Sequence, residues 1–284
     1  MKKVLITGAN SYIGASVERY IAERYPEECE FDTIDLIDGA WREKSFSGYD
    51  VVFHVAGIAH IKETKENAEL YYKVNRDLAV DVASKAKADG VKQFIFLSSM
   101  SVYGLLKGRI TAETMPTPKS NYGKSKLQAE EQIRTLAGDG FAVCVLRPPM
   151  IYGKGCKGNY VTLRKIALKL KIFPYVRNER SMLYIDNLCE FVRLMILNSE
   201  SGIFFPQNNE YTNTSQMVKE IAAAHGKKMR IVRGFGWAVK SLGLFTNLVK
   251  KAFGTLTYEK SMGEYECDYC KVTLSESIAE TENE

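Results

Sequence analysis

The sequence contains no long apolar run. Its N-terminus opens on two lysines, yet only Val4, Leu5 and Ile6 follow before Thr7, too few for a secretory signal. No stretch approaches the roughly 18 apolar residues of a membrane span. A protein that stays in the cytoplasm, without membrane insertion, is expected. Cysteine is sparse and scattered, at Cys29, Cys144, Cys156, Cys189, Cys267 and Cys270. Cys267 and Cys270 make a single Cys-x-x-Cys, and two ligands do not close a structural zinc site, which takes four. All six read as reduced, incidental thiols, and no metal site is expected. Charge of one sign is in small excess only: the net charge is +5, and the basic residues form no long run. Nucleic-acid binding needs a denser basic face; a mild positive balance suits a small anionic substrate.

What is present is a patterned globular chain. Its 284 residues are 45% hydrophobic, enough for one large domain or a domain with a smaller lobe. Strand signals at Lys3–Thr7, Phe31–Ile37, Asp50–Val55, Gln93–Ser98 and Phe141–Arg147 alternate with helical patterns at Ile13–Arg24, Glu69–Asp89 and Tyr122–Leu136. This alternation predicts the α/β class: a doubly wound, Rossmann-like parallel sheet with helices on both faces. The regularity ends at Arg147-Pro148-Pro149. A basic helical stretch (Tyr160–Lys171), a strand and helix (Met182–Asn198), Phe204–Pro206 and a further helix (Ser215–His225) follow. They predict a smaller C-terminal α/β lobe. Ala238–Phe253 is amphipathic and basic, with Lys240, Lys250 and Lys251 among its apolar positions. A core-packed helix or a partner interface is the favoured reading over a membrane-surface helix.

The first strand runs into Thr7-Gly8-Ala9-Asn10-Ser11-Tyr12-Ile13-Gly14, which opens a helix. Gly8 permits the tight turn and Gly14 lets helix and strand pack closely. Ser11 replaces the middle glycine of the usual pattern and is still small. The free amides at the helix start, aided by the helix dipole, suit a pyrophosphate. The expected ligand is a dinucleotide, NAD, with NADP as the alternative. An acid ending the second strand grips the adenosine ribose; Asp35 fits, with Asp32 and Asp38 as competitors. The stretch before Val51 is short, so a strand–helix pair is expected to be missing and Asp35 to face either ribose or adenine. Arg42 nearby suits a 2′-phosphate.

Tyr122 and Lys126 are four residues apart on a helix, so both project from one face. A phenol with an ordinary pKa near 10 is a poor base at neutral pH, and a neighbouring ammonium favours the phenolate. Lys126 can also bond a nicotinamide ribose. Ser99 ends an apolar strand and can hold the reacting oxygen beside Tyr122. Together they make a general acid/base next to a hydride carrier. The alternative is that Asn121 caps the helix and the Tyr–Lys pair is exposed and idle. His54 reads as packing.

These motifs resemble the extended short-chain dehydrogenase/reductases of the NAD-dependent epimerase/dehydratase family, near its UDP-glucose 4-epimerase-like members. The matching pieces are residues 7–14, DVVFHVAG (50–57), Asn75 within YYKVNRD, FLSSMSVYG (96–104), YGKSK (122–126), LRPPMIYG (146–153) and RSMLYIDN (180–187). The resemblance implies a dinucleotide-binding domain over 1–147, with segments returning from the C-terminal half, and a lobe over 148–284 mainly for a nucleotide-sugar, UDP-linked. It implies that Tyr12 and Ile13 touch the pyrophosphate and that Val55, Ala56, Gly57 and Asn75 line the nicotinamide side. Asn159 and Arg180 would contact the substrate diphosphate, for which an arginine fork is suited. The alternative for Arg180 is an ion pair with Glu179 or another nearby acid. A homodimer joined partly through the Tyr122–Lys126 helix is implied as well.

Dehydratases of the family carry an acid just after the Ser99 position; Met100 and Ser101 stand there instead. The expected activity is therefore epimerisation of a nucleotide-sugar by transient hydride transfer at C4 with bound NAD(P). The alternatives are an NAD(P)H-dependent reductase of a nucleotide-4-keto-sugar and a non-catalytic dinucleotide sensor. One departure bears on the sugar. After Arg147 the 4-epimerase pattern has a substrate-contacting asparagine, and here Pro148, Pro149 and Met150 take its place.

Overall fold

The computed structural model describes residues 1–59, 61, 63–234 and 254–283. Its centre is a six-stranded sheet made of β1 (Lys2–Thr7), β2 (Cys29–Ile34), β3 (Val51–His54), β4 (Gln93–Leu97), β6 (Ala142–Leu146) and β10 (Gly202–Phe204). The order is β10-β6-β4-β3-β1-β2, and every pairing is parallel. The order reverses at β1, flanked by β2 and β3, and in such sheets ligands bind in the crevice beyond the strand ends at that point.

Strands covered on both sides read as unbroken apolar runs rather than alternating ones. Val4 and Ile6 of β1 pack on one face with Val17 and Ile21 of α1 (Tyr12–Arg24) and Leu188 and Val192 of α6 (Ile185–Leu197). Leu5 packs on the other face with Val82 and Ala83 of α3 (Leu78–Ala88) and Ala129 and Ile133 of α4 (Asn121–Arg134). The sheet is thus doubly wound, as its sequence pattern requires.

Two boundaries differ from the sequence reading, and the missing strand–helix pair before β3 agrees with it. The second strand runs Cys29–Ile34 rather than Phe31–Ile37. Both Gly8 and Ala9 donate their amides to the Ile34 carbonyl, and the Asp35 carboxylate takes the Ile37 amide at 3.0 Å, so the chain turns away at Asp35. No further strand precedes β3; a single 3-10 turn at Ala40–Arg42 bridges the gap. The rod expected over 69–89 is α2 (Ala68–Tyr72) and α3 joined by a π turn over Lys73–Asp77. Its wider turn carries Asn75 into full burial.

The remaining elements form the second lobe and its edge. β5 (Gly108–Ile110) pairs with β12 (Leu256–Tyr258), β7 (Met150–Tyr152) with β9 (Met182–Tyr184), and β8 (Ile172–Pro174) with β11 (Arg230–Val232). Around them lie α5 (Asn159–Lys169), α7 (Thr214–Ala224) and α8 (Leu274–Glu282). The Glu282 carboxylate accepts from Tyr160, Arg164 and His225, tying α8 to α5 and to the end of α7. Among the described residues no helix is long and apolar enough to cross a membrane. The amphipathic stretch Ala238–Phe253 lies outside the described residues.

Candidate active site

At the end of β1, Gly8 has φ +101°, a conformation that side chains resist. A Cβ there would stand 3.0 Å from the backbone of Ala56, so the ends of β1 and β3 meet only because residue 8 is glycine. A Cβ on Gly14 would lie 2.8 Å from Ile6, which is the close helix–strand contact expected of it. Ser11 caps α1: its hydroxyl accepts the Gly14 amide at 3.2 Å, and its carbonyl accepts the Ala15 amide. The amides of Tyr12 and Ile13 remain as first-turn donors at the strand ends. The Tyr12 ring does not join them. Its hydroxyl is buried and would lie 2.9 Å from a Cβ on Gly153, so any contact from Tyr12 to a pyrophosphate is through backbone.

Of the three candidate acids, Asp32 receives the Tyr49 hydroxyl at 2.6 Å and Asp38 receives the Ala40 amide at 3.1 Å. Asp35 stands directly after β2, level with Gly8. Arg42 is ion-paired with Asp81 at 3.0 Å and stacks on Trp41. This local set fits the diol of NAD better than a 2′-phosphate.

Ser99 follows β4 and caps a 3-10 turn, Met100–Tyr103, accepting the Ser101 amide at 3.1 Å. The Ser99 hydroxyl lies close enough to the Tyr122 phenol to favour its ionised form, while it donates to the Ser101 hydroxyl at 3.1 Å. Lys126 is buried, with its Nζ 2.8 Å from the Leu97 carbonyl and 4.6 Å from the centre of the Phe96 ring. Burial pulls its pKa down to about 8, with Glu130 opposing. A buried lysine rules out the exposed, idle Tyr–Lys pair, and the cap of α4 is Ser120, not Asn121. The phenol behaves differently from the sequence expectation. Burial raises the Tyr122 pKa, nearby Ser99 only partly offsets it, and nearby Tyr71 adds to the rise. The ammonium is spent on a strand-end carbonyl rather than on the phenol.

The loop after β3 reaches the same place. A Cβ on Gly57 would lie 2.9 Å from Asn75 Oδ1 and 3.4 Å from Lys126 Nζ. Asn75 accepts the Ile58 amide at 2.9 Å and donates to the Ile58 carbonyl at 3.0 Å and to Ser125 at 3.3 Å. Its amide holds the loop in shape; the exposed backbone of Gly57, beside half-buried Val55 and Ala56, faces the crevice. His54 is fully buried, stacks against Phe94 and Phe96 and bonds Thr7 at 2.8 Å. Burial, with Lys126 nearby, lowers its pKa to about 3, consistent with a neutral packing residue.

Two groups of residues escaped the sequence reading. The Glu63 carboxylate accepts the amides of Asn121 and Tyr122, both at 3.1 Å. Nothing in sequence spacing links Glu63 to that helix. Glu130, one turn beyond Lys126, forms a buried ion pair with Arg147 and accepts from Ser98. An acid four residues after Lys126 on a buried helix face was the available signal.

In the second lobe, Asn159 and Arg180 line one small cavity of about 10 Å³ with Met150, Leu163, Met182 and Met217. Arg180 Nη1 donates to the Gly254 carbonyl at 2.8 Å, and burial lowers its pKa. Arg180 is in none of the ion pairs among the described residues, so Glu179 does not neutralise it.

A parallel sheet with its switch point at β1, and a Ser–Tyr–Lys set at that point, define a dinucleotide-dependent enzyme of the short-chain dehydrogenase type. Residues 4–205 match the NAD dependent epimerase/dehydratase family, and the chain belongs to that family as an NAD-dependent enzyme of its extended type. It is 30% identical to a UDP-glucose 4-epimerase of Vibrio cholerae, over 92% of this chain and 88% of that protein. It is 29% identical to N-acetyl-alpha-D-glucosaminyl-diphospho-ditrans,octacis-undecaprenol 4-epimerase of Escherichia coli O157:H7, over 80% of this chain and 73% of that one. Among solved structures, a dTDP-4-dehydrorhamnose reductase of Clostridium acetobutylicum shares the fold with a TM-score of 0.76 at 20% identity, covering 98% of each chain. A UDP-glucuronic acid 4-epimerase of Bacillus cereus in complex with NAD gives 0.71 at 17% identity, covering 98% of this chain and 96% of that one.

Proposed function

We propose that the protein inverts C4 of a sugar joined to its carrier by a diphosphate, with a nucleotide, UDP, as the carrier. The observation that carries this reading is Ser99 set beside Tyr122, next to buried Lys126, at the strand ends where Gly57 and the α1 amides converge. Both curated relatives above are 4-epimerases of diphosphate-linked sugars. Met100 and Ser101 bring no carboxylate to the position after Ser99, so elimination has no base of its own there.

The residues present fit NAD. The amides of Tyr12 and Ile13 would hold its pyrophosphate, Asp35 its adenosine ribose, Lys126 its other ribose, and Val55, Ala56 and Gly57 would border its nicotinamide. When bound, NAD supplies reversible hydride acceptance. The chain supplies the proton handling. Ser99 holds the C4 oxygen of the sugar, and Tyr122 takes and returns its proton. Tyr122 accepts that proton as its phenolate and becomes the phenol, and the positive charge that Lys126 keeps in the same dry crevice favours the phenolate from which the step starts. Arg180 and Asn159 would anchor the diphosphate, so that the sugar can present either face without leaving. We further infer a cytoplasmic homodimer that pairs through α4.

The test is to denature the purified protein and assay released nucleotide, while proton NMR follows C4 inversion of UDP-hexoses. Released NAD with inversion supports the reading. A protein purified empty, which consumes added NADH or NADPH against a 4-keto sugar, would be a reductase instead.

A further inference from the structure

We propose that the β8–β11 ribbon, with the end of α5, docks on an anionic lipid bilayer. Residues 140–178 contain eight Lys and Arg and no acid, and residues 221–258 contain seven and no acid. The rest of the chain then holds 24 basic residues against 34 acidic ones, so the charge is strongly segregated despite a net of only +5. The fold lays their described parts side by side at one ribbon. β8 pairs with β11, placing Ile172 beside Arg230, and Lys227 donates to the Leu168 carbonyl at 2.8 Å.

Lys169, Lys171, Lys227, Lys228, Arg230 and Arg233 are all exposed. None belongs to an ion pair among the described residues; Arg147 and Arg164 are the paired cations of these stretches. Among them stand Leu170, Ile172 and Tyr175, which are 45%, 55% and 44% exposed. Arg233 lies over the Tyr175 ring at 5.4 Å. Of the nine exposed large apolar side chains among the described residues, three fall within residues 170–175.

A merely solvated basic face has no use for that concentration. A bilayer interface takes both kinds of group: apolar side chains enter the headgroup boundary while cations meet anionic phosphates. Nucleic acid would use the cations and leave Leu170 and Ile172 without a role. The surface is independent of which carrier the active site accepts.

The experiment sediments the full chain with vesicles of phosphatidylcholine, alone or mixed with phosphatidylglycerol. The expected result is binding to the mixed vesicles, weakened by salt, and little binding to neutral ones. Lys169→Glu with Lys171→Glu and Arg230→Glu should lower partitioning roughly tenfold or more. Leu170→Ser with Ile172→Ser should lower it about tenfold or more, since about half of each side chain's apolar surface is free to enter the interface. Both variants should keep the melting temperature and the epimerisation of a water-soluble nucleotide-sugar, so loss of binding is separable from misfolding and from the active-site reading. Equal binding to both vesicle types, no binding to either, or apolar variants that bind like the parent would each overturn the proposal.

Discussion

The Glu63 carboxylate accepts the backbone amide of Tyr122 at 3.1 Å, with its other oxygen on the amide of Asn121. One acid from the β3–α2 loop thus caps the helix that carries Tyr122 and Lys126. Ser120 takes the next amide, that of Gly123, so the first turn is held by two side chains from different segments. The loop is itself fixed by Asn75 at Ile58 and by Tyr71, which donates to the Ile61 carbonyl at 2.8 Å. The backbone height of Tyr122 against Ser99 is therefore set from the cofactor side of the crevice.

Glu63→Gln keeps the shape but offers only one acceptor oxygen to two amides. Loss of a helix cap costs about 1 kcal/mol, or roughly 2–4 °C of melting temperature for a chain of this size. The expected outcome is that small shift, unchanged NAD retention, and a kcat about tenfold lower with KM little altered. Glu63→Asp should recover part of the loss. Thermal melting, released-nucleotide analysis and steady-state kinetics check it. A fall in NAD retention matching the fall in kcat would show that Glu63 shapes the cofactor loop rather than positioning Tyr122.

Lys126 gives a pH dependence with two opposite signs. Its pKa of about 8 in the fold lies below the ordinary lysine value of about 10.4. Below about pH 8 the side chain is an ammonium both folded and unfolded, and its burial cost is fully present. Between the two values the unfolded chain binds the extra proton, so stability rises with pH in that window. Activity runs the other way, since the positive charge is lost there. For the cofactor-loaded enzyme we expect kcat/KM to fall above about pH 8. Lys126→Arg, whose guanidinium stays charged, should be slower at its best but lack that limb. A pH–rate profile for both proteins checks it, and an identical alkaline limb in the two would remove Lys126 from the assignment.

What was legible in the sequence was local. The glycines at 8 and 14, Ser11 and the Tyr122–Lys126 spacing each act within one turn or one helix face, where sequence separation and distance in space agree. The alternating apolar runs likewise announced the doubly wound sheet, because strands covered on both faces tolerate little else. Contacts between distant segments were not legible. Glu63 meets Tyr122 across 59 residues, and the Phe204 segment enters the central sheet beside β6 through only three paired residues. Asn75 lies beside Gly57 because a π turn, which no apolar spacing announces, buries its amide against Ile58. The phenol's raised pKa depends on burial, which no spacing rule reports.

Arg180 offers a separable test of the substrate lobe. Its guanidinium is partly desolvated and meets a carbonyl rather than a carboxylate. Among the described residues no carboxylate pairs with it, and a diphosphate would supply a charged partner. Arg180→Ala should raise KM for a diphosphate-linked sugar about tenfold or more, in line with the roughly 1.5–3 kcal/mol of a charged hydrogen bond. It should leave kcat and NAD retention nearly unchanged. A fall in kcat at constant KM would place Arg180 at the reacting centre instead.

The most direct measurement compares the parent protein with Tyr122→Phe in C4 inversion of a UDP-hexose, followed by proton NMR, with bound nucleotide assayed on the same samples. The substitution removes one oxygen from the Ser99–Tyr122 pair and leaves the ring. The account predicts that NAD is retained in full while inversion slows by about a hundredfold to ten-thousandfold, the usual range for a lost general acid/base. Inversion by Tyr122→Phe at close to the parent rate would contradict it.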